Sequence, residues 1–163
     1  MERPKMFLLC GLIGSGKSYW SRIKLAAGGN IICVNRDSLR TMISGGVYVY
    51  NKRLEIVGKS MAVDCVVAAH DMGYSVILDE TNLTVKKRSE WLSMALACGM
   101  EVICVHCTET VENLANRMTE PRGMPEARWS AVLEGMRESF EPPTMKENFS
   151  RIEVVEIPPI GDR

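Results

Sequence analysis

The sequence lacks several features that mark specialised classes of protein. It has only 2 histidines, aromatic residues make up 6% of its 163 positions, and lysine plus arginine balances aspartate plus glutamate at 20 each. No net charge therefore attracts a polyanion, and any nucleic-acid binding needs a local basic cluster. No apolar run approaches the roughly 20 residues of a membrane span, and the first apolar run is too short for a secretory signal. These absences favour a cytoplasmic domain with no membrane partner.

The six cysteines do not form the paired pattern of a disulfide framework. Most lie within apolar runs, which is typical of buried, reduced thiols. Cys104 and Cys107, in "CVHC", leave open a zinc ion, but a structural zinc site needs a second pair of ligands and the sequence has none. We expect these two to be core residues of a strand.

Apolar runs rich in β-branched residues alternate with segments of helical period, which predicts a parallel sheet covered on both faces. The predicted strands are 6–10, 31–34, 75–79, 101–105 and 151–157, and the predicted helices are about 17–27, 37–44, 53–72, 85–98, 109–118 and 126–139. We expect one α/β domain over residues 1–163, three layers thick, with a five-stranded parallel sheet. Two prolines and a glycine within 119–128 predict a loop.

The first predicted strand runs directly into "GLIGSGKS", which satisfies G-x-x-x-x-G-K-[ST] between a strand and a helix. In this context glycines let successive backbone N–H groups face one anion, the lysine reaches the β- and γ-phosphates and the serine binds Mg²⁺. A glycine-rich turn with no ligand is the alternative. The motif predicts binding of ATP and Mg²⁺ by Gly11, Leu12, Ile13, Gly14, Ser15, Gly16, Lys17, Ser18 and Tyr19.

Charged side chains follow the next two strands, where ligands of open α/β sheets bind. Asp37 and Arg40 come after the second strand, and Asp37 is either a group that acts on an acceptor or the N-cap of the next helix. Asp79 ends the third strand, where P-loop enzymes organise their metal ion. The guanine-reading Asn/Thr-Lys-x-Asp sequence of signalling GTPases is absent. A phosphotransferase is therefore favoured over a GTPase.

Three arginines surround the predicted loop: Arg117, Arg122 and Arg128. Arginines on a closing loop can neutralise charge on a transferred phosphoryl group. Exposed helix ends are the alternative. A lid at about 117–128 is thus a prediction of the sequence.

Together these segments resemble the polynucleotide 5′-hydroxyl kinases, both the phage type and the kinase domain of the bifunctional repair enzymes. "GLIGSGKSYW" is similar to the family's phosphate loop, "VNRDSLR" to its acceptor motif, "DETNLTVKKRSEW" to its D-x-T-N segment and "FEPPT" to its carboxyl-terminal motif. The Asp-x-Asp-x-Thr motif of the associated phosphatase domain is absent. The resemblance therefore concerns the kinase part alone, and it covers nearly the whole chain.

The resemblance implies a role for each matched position. Asp37 becomes the general base, Arg40 a phosphate contact paired with Glu80, Arg122 the lid arginine, and Asp79 and Ser18 the residues at the metal ion. The implied acceptor site comprises Arg36, Asp37, Arg40, Glu80, Thr81, Asn82 and Arg88. The implied activity is transfer of the γ-phosphate of ATP to the 5′-hydroxyl of DNA or RNA, as in end repair. A kinase of a small hydroxylated metabolite and a non-catalytic nucleotide-binding module are the alternatives.

Overall fold

The computed structural model of the chain describes residues 3–108 and 126–156. In chain order the elements are β1 (Lys5–Cys10), α1 (Lys17–Ala26), β2 (Ile31–Val34), α2 (Arg36–Ile43), α3 (Lys52–Asp71), β3 (Ser75–Leu78), α4 (Val85–Ala97), β4 (Glu101–Thr108), α5 (Glu126–Glu138), a 3₁₀ turn (Met145–Glu147) and β5 (Arg151–Glu156). All five predicted strands are present. The predicted helix at 109–118 and most of the predicted loop at 119–128 lie outside the described residues.

The five strands form one parallel sheet in the order β2-β3-β1-β4-β5. The central strand, β1, pairs with β3 on one side and β4 on the other, so that Leu8 lies opposite both Leu78 and Cys104. The carboxyl ends of β1, β2 and β3 therefore lie together at one edge of the sheet. These are the strands that lead into the phosphate loop, Asp37 and Asp79.

Alternate residues of β1 face opposite sides of the sheet, as the two-residue period of a strand requires. Met6 and Leu8 belong to a core cluster with residues of α3 and α4, whereas Phe7 and Leu9 pack with Trp20 of α1. Each fully buried aliphatic side chain contributes about 1.5–3 kcal/mol relative to exposure. Helices thus cover both faces, and the predicted three-layer α/β fold with five parallel strands is confirmed.

One strand is longer than predicted. The strand expected over 101–105 continues to Thr108, because His106, Cys107 and Thr108 also pair with β5. Cys104 lies in the core cluster on one face of the sheet and Cys107 in the cluster on the other. The two thiols point away from each other and cannot bind one ion together, so the core-residue interpretation of "CVHC" is correct. Among the described residues, no helix combines the length and apolar character needed to cross a membrane.

Candidate active site

The loop between β1 and α1 depends on glycine at its first position. Gly11 has φ +148°, and a Cβ there would lie 2.4 Å from the carbonyl oxygen of Cys107 and 2.7 Å from Ser15 Oγ. Gly14 and Gly16 also have positive φ, at 87° and 85°. Residues with a Cβ are disfavoured in this conformation. The loop therefore needs glycine at these positions because of their positive φ, and at Gly11 also because β4 lies so close.

The lysine of the motif lies inside this loop. Lys17 is 8% exposed, and its Nζ donates hydrogen bonds to the carbonyl oxygens of Gly11 (2.9 Å) and Leu12 (2.6 Å). Gly16 precedes the first turn of α1 and offers no capping side chain. The N–H groups of that turn and the positive end of the helix dipole therefore face the loop. Together they form an anion-binding concavity with a buried ammonium beside it.

The segment after β3 is fastened to the phosphate loop. Gly11 N–H donates to the carbonyl oxygen of Thr81 (3.0 Å), and the Asn82 side-chain amide donates to Leu9 O (2.8 Å). Asn82 is buried and has φ +44°. The expectation that Asn82 contacts an acceptor is therefore not met, because its side chain ties this segment to β1. This contact fixes the position of Asp79 relative to the phosphate loop.

Arg88 also departs from its expected role. Its guanidinium is fully buried, with Nε donating to Glu147 Oε2 (2.7 Å), Nη2 to Glu147 Oε1 (2.9 Å) and Nη1 to the carbonyl oxygens of Asn82 (3.0 Å) and Glu141 (2.8 Å). Such a bidentate, charge-assisted pair is strong and directional. Arg88 therefore joins α4 to the 3₁₀ turn from inside the protein and is not exposed to an acceptor.

The N-cap of α2 is Asn35 and not Asp37. The Asn35 side-chain oxygen Oδ1 accepts from Ser38 N (2.9 Å), and its side-chain Nδ2 donates to Asp79 O (2.7 Å), which joins the ends of β2 and β3. Asp37 lies in the first turn of α2, and its carboxylate accepts from Arg40 Nη2. The helix is thus capped without Asp37, and capping does not account for an aspartate at this position.

Arg40 is the centre of an ion-pair network. Its guanidinium contacts the carboxylates of Asp37 and Glu55 and donates to the hydroxyl of Tyr48 (3.1 Å). Glu80, the partner expected for Arg40, is instead bonded by two nitrogens of Arg36, with Nη2 at 2.6 Å from Oε2. The expected Arg40–Glu80 pair is therefore wrong. Arg40 therefore pairs with Asp37 and with Glu55 of α3, whereas Arg36 pairs with Glu80 after β3 and lies 3.9 Å from Glu55.

Electrostatics at this network are set by burial. Burial raises the pKa of Glu80, and the Arg36 guanidinium partly offsets that rise. Cys33, at the back of the same region, has its pKa raised to about 11, first by burial and then by the negative charge of Asp79. Burial thus disfavours the charged form of both groups.

One cleft of about 830 Å³ brings the two halves of the site together. It is lined by Ser18 of α1, Asp37 of α2 and Asp79, which follows β3, because β1, β2 and β3 end at the same edge of the sheet. Its other lining residues are Ser21, Arg22, Leu25, Cys33, Asn35, Ser38, Thr41, Met42 and Tyr48. Ser18 and Asp79 carry the hard oxygen atoms that would suit Mg²⁺, as a ligand or through its bound waters.

Three residues of this region were not predicted from the sequence: Asn35, Glu55 and Tyr48. Asn35 sits in the position of an N-cap before α2, a signal that was available in the sequence. Tyr48 lies in "GGVYVYN", where aromatic residues alternate in a short connection. Glu55 carries no such signal, because only the packing of α3 against α2 brings it to Arg40. The predicted lid arginines, Arg117 and Arg122, lie outside the described residues, and Arg128 is exposed near the start of α5.

Known proteins resemble the chain in both sequence and fold. A bifunctional polynucleotide phosphatase/kinase from Schizosaccharomyces pombe is 24% identical over 161 residues, which is 94% of this chain and 34% of that protein. A chain of the Pnkp1/Rnl/Hen1 complex is 25% identical with a TM-score of 0.64, and the match covers 72% of this chain and 40% of that one. The chain thus spans less than half the length of both, and the resemblance to polynucleotide kinases is confirmed.

The fold alone is shared more widely. The Mycobacterium tuberculosis APS kinase CysC, in complex with AMPPNP and APS, is 18% identical with a TM-score of 0.66 over 97% of this chain and 92% of that one. The fold is therefore that of P-loop kinases with different acceptors. Residues 6–143 match the family described as an AAA domain, a span that holds the phosphate loop, Asp37 and Asp79, and the chain belongs to this family of P-loop proteins.

Proposed function

We propose that the protein is an ATP-dependent polynucleotide kinase that transfers the γ-phosphate of ATP to a 5′-hydroxyl end of DNA or RNA. The observation that carries the proposal is the position of Asp37. Its carboxylate lines the same cleft as Ser18 and Asp79, is 43% exposed, and is oriented by Arg40 while Asn35 caps the helix. A carboxylate that lines the cleft and is oriented in this way can accept a proton from a hydroxyl that enters it.

On the donor side, the backbone of residues 11–18 holds the triphosphate and Lys17 exchanges its bonds to Gly11 and Leu12 for bonds to the β- and γ-phosphate oxygens. Ser18 and Asp79 would hold Mg²⁺, Asp79 through its waters, and the bound ion would neutralise charge on the phosphates. Lys17 follows the charge that develops between the β- and γ-oxygens. Arg122 stays a predicted contact of the γ-phosphate.

On the acceptor side, Asp37 positions the hydroxyl in line with the γ-phosphorus and takes its proton. A carboxylate is a weak base, but a loose transition state requires little proton transfer until late. Orientation therefore matters more than basicity. Arg40 supplies that orientation, and Arg36 with Thr81 remains the candidate contact for the phosphate next to the terminal nucleoside.

The experiment that tests this proposal is label transfer from γ-³²P-ATP. We expect transfer to 5′-hydroxyl DNA or RNA oligomers, no transfer to 5′-phosphorylated ones, and far less transfer to a panel of small hydroxylated metabolites. Asp37→Asn should fold and bind ATP but lose about 10²–10⁴-fold in turnover. Asp64→Asn, which changes an exposed aspartate on α3, is the matched control and should retain activity. Transfer to a metabolite but to no oligomer would reject the polynucleotide acceptor.

The salt dependence of acceptor binding distinguishes a polynucleotide from a small neutral acceptor, without the use of variants. A polynucleotide held by a few arginines should bind more weakly as salt increases, with a slope set by the few phosphates contacted. A small neutral acceptor should show almost no slope. The measurement is the acceptor KM between low and physiological salt at saturating ATP, and a flat response with oligomers would contradict phosphate contacts by Arg36.

A further inference from the structure

The connection between α2 and α3 is unusually apolar for an exposed turn. Residues 47–50 read Val-Tyr-Val-Tyr, and all four side chains are exposed, with Tyr50 at 71% and Tyr48 at 39%. Aromatic residues make up only 6% of the whole chain. Large exposed apolar groups that cluster at a cleft commonly mark a binding surface.

These tyrosines are continuous with the acceptor side of the cleft. The Tyr48 ring centroid lies 5.1 Å from Arg40 Cζ and that of Tyr50 lies 5.8 Å from the same atom, and Tyr48 also lines the cleft. The guanidinium charge is already shared with the carboxylates of Asp37 and Glu55. Pairing with Arg40 therefore explains where the rings lie and leaves most of the Tyr50 surface available.

We infer that Tyr50, next to Tyr48, is a stacking surface for the base of the acceptor's terminal nucleoside. This inference rests on the proposed function and specifies its substrate. The base and the 5′-hydroxyl are attached to one sugar, so a hydroxyl at Asp37 leaves the base within reach of the residues around Arg40. Every nucleobase has a flat π face, and stacking on an aromatic side chain tolerates any sequence. A non-aromatic metabolite would gain nothing from this surface.

Tyr50 is the side chain to change, because Tyr48 bonds Arg40 and its loss would also disturb Asp37. The experiment compares kcat/KM for two 5′-hydroxyl oligomers that differ only in whether the terminal nucleotide carries a base or is abasic. The enzymes are wild type, Tyr50→Ala, Tyr50→Phe, and Met72→Ala as a control for loss of an exposed apolar side chain at the far end of α3.

For wild type, we expect kcat/KM to fall about tenfold when the terminal base is absent. Tyr50→Ala should lose about tenfold on the intact oligomer, through KM, and almost nothing on the abasic one. Tyr50→Phe and Met72→Ala should behave as wild type. An equal loss by Tyr50→Ala on both oligomers, or a wild type indifferent to the base, would overturn the stacking surface while leaving the kinase activity in place. If wild type phosphorylated no oligomer, the proposed function itself would fail.

Discussion

The two sides of the cleft are held by different kinds of contact. The phosphate loop is shaped by backbone conformation, with positive φ at Gly11, Gly14 and Gly16 and main-chain bonds to the segment after β3. The acceptor side is held by charged side chains that pair between α2, α3 and that same segment. Few sequences can adopt the backbone conformation of the phosphate loop. Substitutions therefore rarely change what such a site binds without destroying it. A site built from paired side chains can change its ligand by changing a few residues.

Of the changes that test this comparison, the largest effect should come from the one charged side chain that the phosphate loop supplies. Lys17→Ala should lower phosphate transfer by about 10³-fold, because residues 11–18 contain no other cation to stabilise the charge that develops on the β- and γ-oxygens. Lys59→Ala removes an exposed lysine, on α3, and should have almost no effect. The measurement is kcat with γ-³²P-ATP. Activity of Lys17→Ala close to that of wild type would place the triphosphate elsewhere.

The second prediction tests whether Arg88 belongs to the core or to the acceptor side. Arg88→Met should lower the free energy of unfolding by about 3–5 kcal/mol, because it leaves the buried carboxylate of Glu147 without its partner. Adding Glu147→Gln should recover part of that loss in denaturant titrations. The acceptor KM of the folded fraction should not change. A stable Arg88→Met variant with a raised acceptor KM would return Arg88 to the acceptor site.

A third prediction separates two reasons for glycine at position 11: its positive φ and the close approach of the Cys107 carbonyl oxygen. Gly28 also has positive φ, at 79°, but a Cβ there would meet no atom within 4 Å. Gly28→Ala should therefore cost about 1–2 kcal/mol from conformation alone. Gly11→Ala should cost about 1–3 kcal/mol more, because its Cβ collides with Cys107 O. Equal losses in thermal unfolding would show that the β4 backbone does not constrain the loop.

The smallest effect concerns pH and the acceptor-side carboxylate Glu80. Its pKa is raised in the folded protein, so the unfolded chain loses this proton first and the folded state loses stability as pH rises above about 4.5. Glu80→Gln should therefore gain stability relative to wild type across that rise, by about 1 kcal/mol or less. Denaturant midpoints at several pH values measure this difference.

Glu90→Gln is the matched control, because the pKa of Glu90 is lowered, mainly by its hydrogen bond with Lys59. Its ionised form stabilises the folded state above the ordinary pKa, so this variant should lose relative stability as pH rises. The change should be weak, since the pair is exposed. Shifts of the same sign in both variants would contradict the buried environment of Glu80.

The comparison also explains what could be predicted from the sequence. The phosphate loop was predictable because its glycines meet backbone requirements at fixed spacing, and the strands were predictable from their apolar runs. The rule that ligands bind at the ends of parallel strands made Asp37 and Asp79 candidates, and only the resemblance to polynucleotide kinases favoured a base over an N-cap at Asp37. The partners of Arg40 and Arg88 were not predictable: Glu147 is 59 residues from Arg88, and Glu55 reaches Arg40 only after α3 has packed. Long-range side-chain pairing depends on tertiary packing, which a local pattern does not contain.

The strand order predicts different local stability for the two strands that lead into the cleft. β1, which leads into the phosphate loop, is hydrogen-bonded on both edges, whereas β2, which leads to Asp37, pairs only with β3 within the described part of the chain. Amide protons of β1 should therefore exchange with solvent only on global unfolding, and those of β2 through smaller, more frequent openings. If the proposed function holds, native-state fluctuation should be greatest on the side where the acceptor enters and leaves, and smallest under the loop that holds the triphosphate.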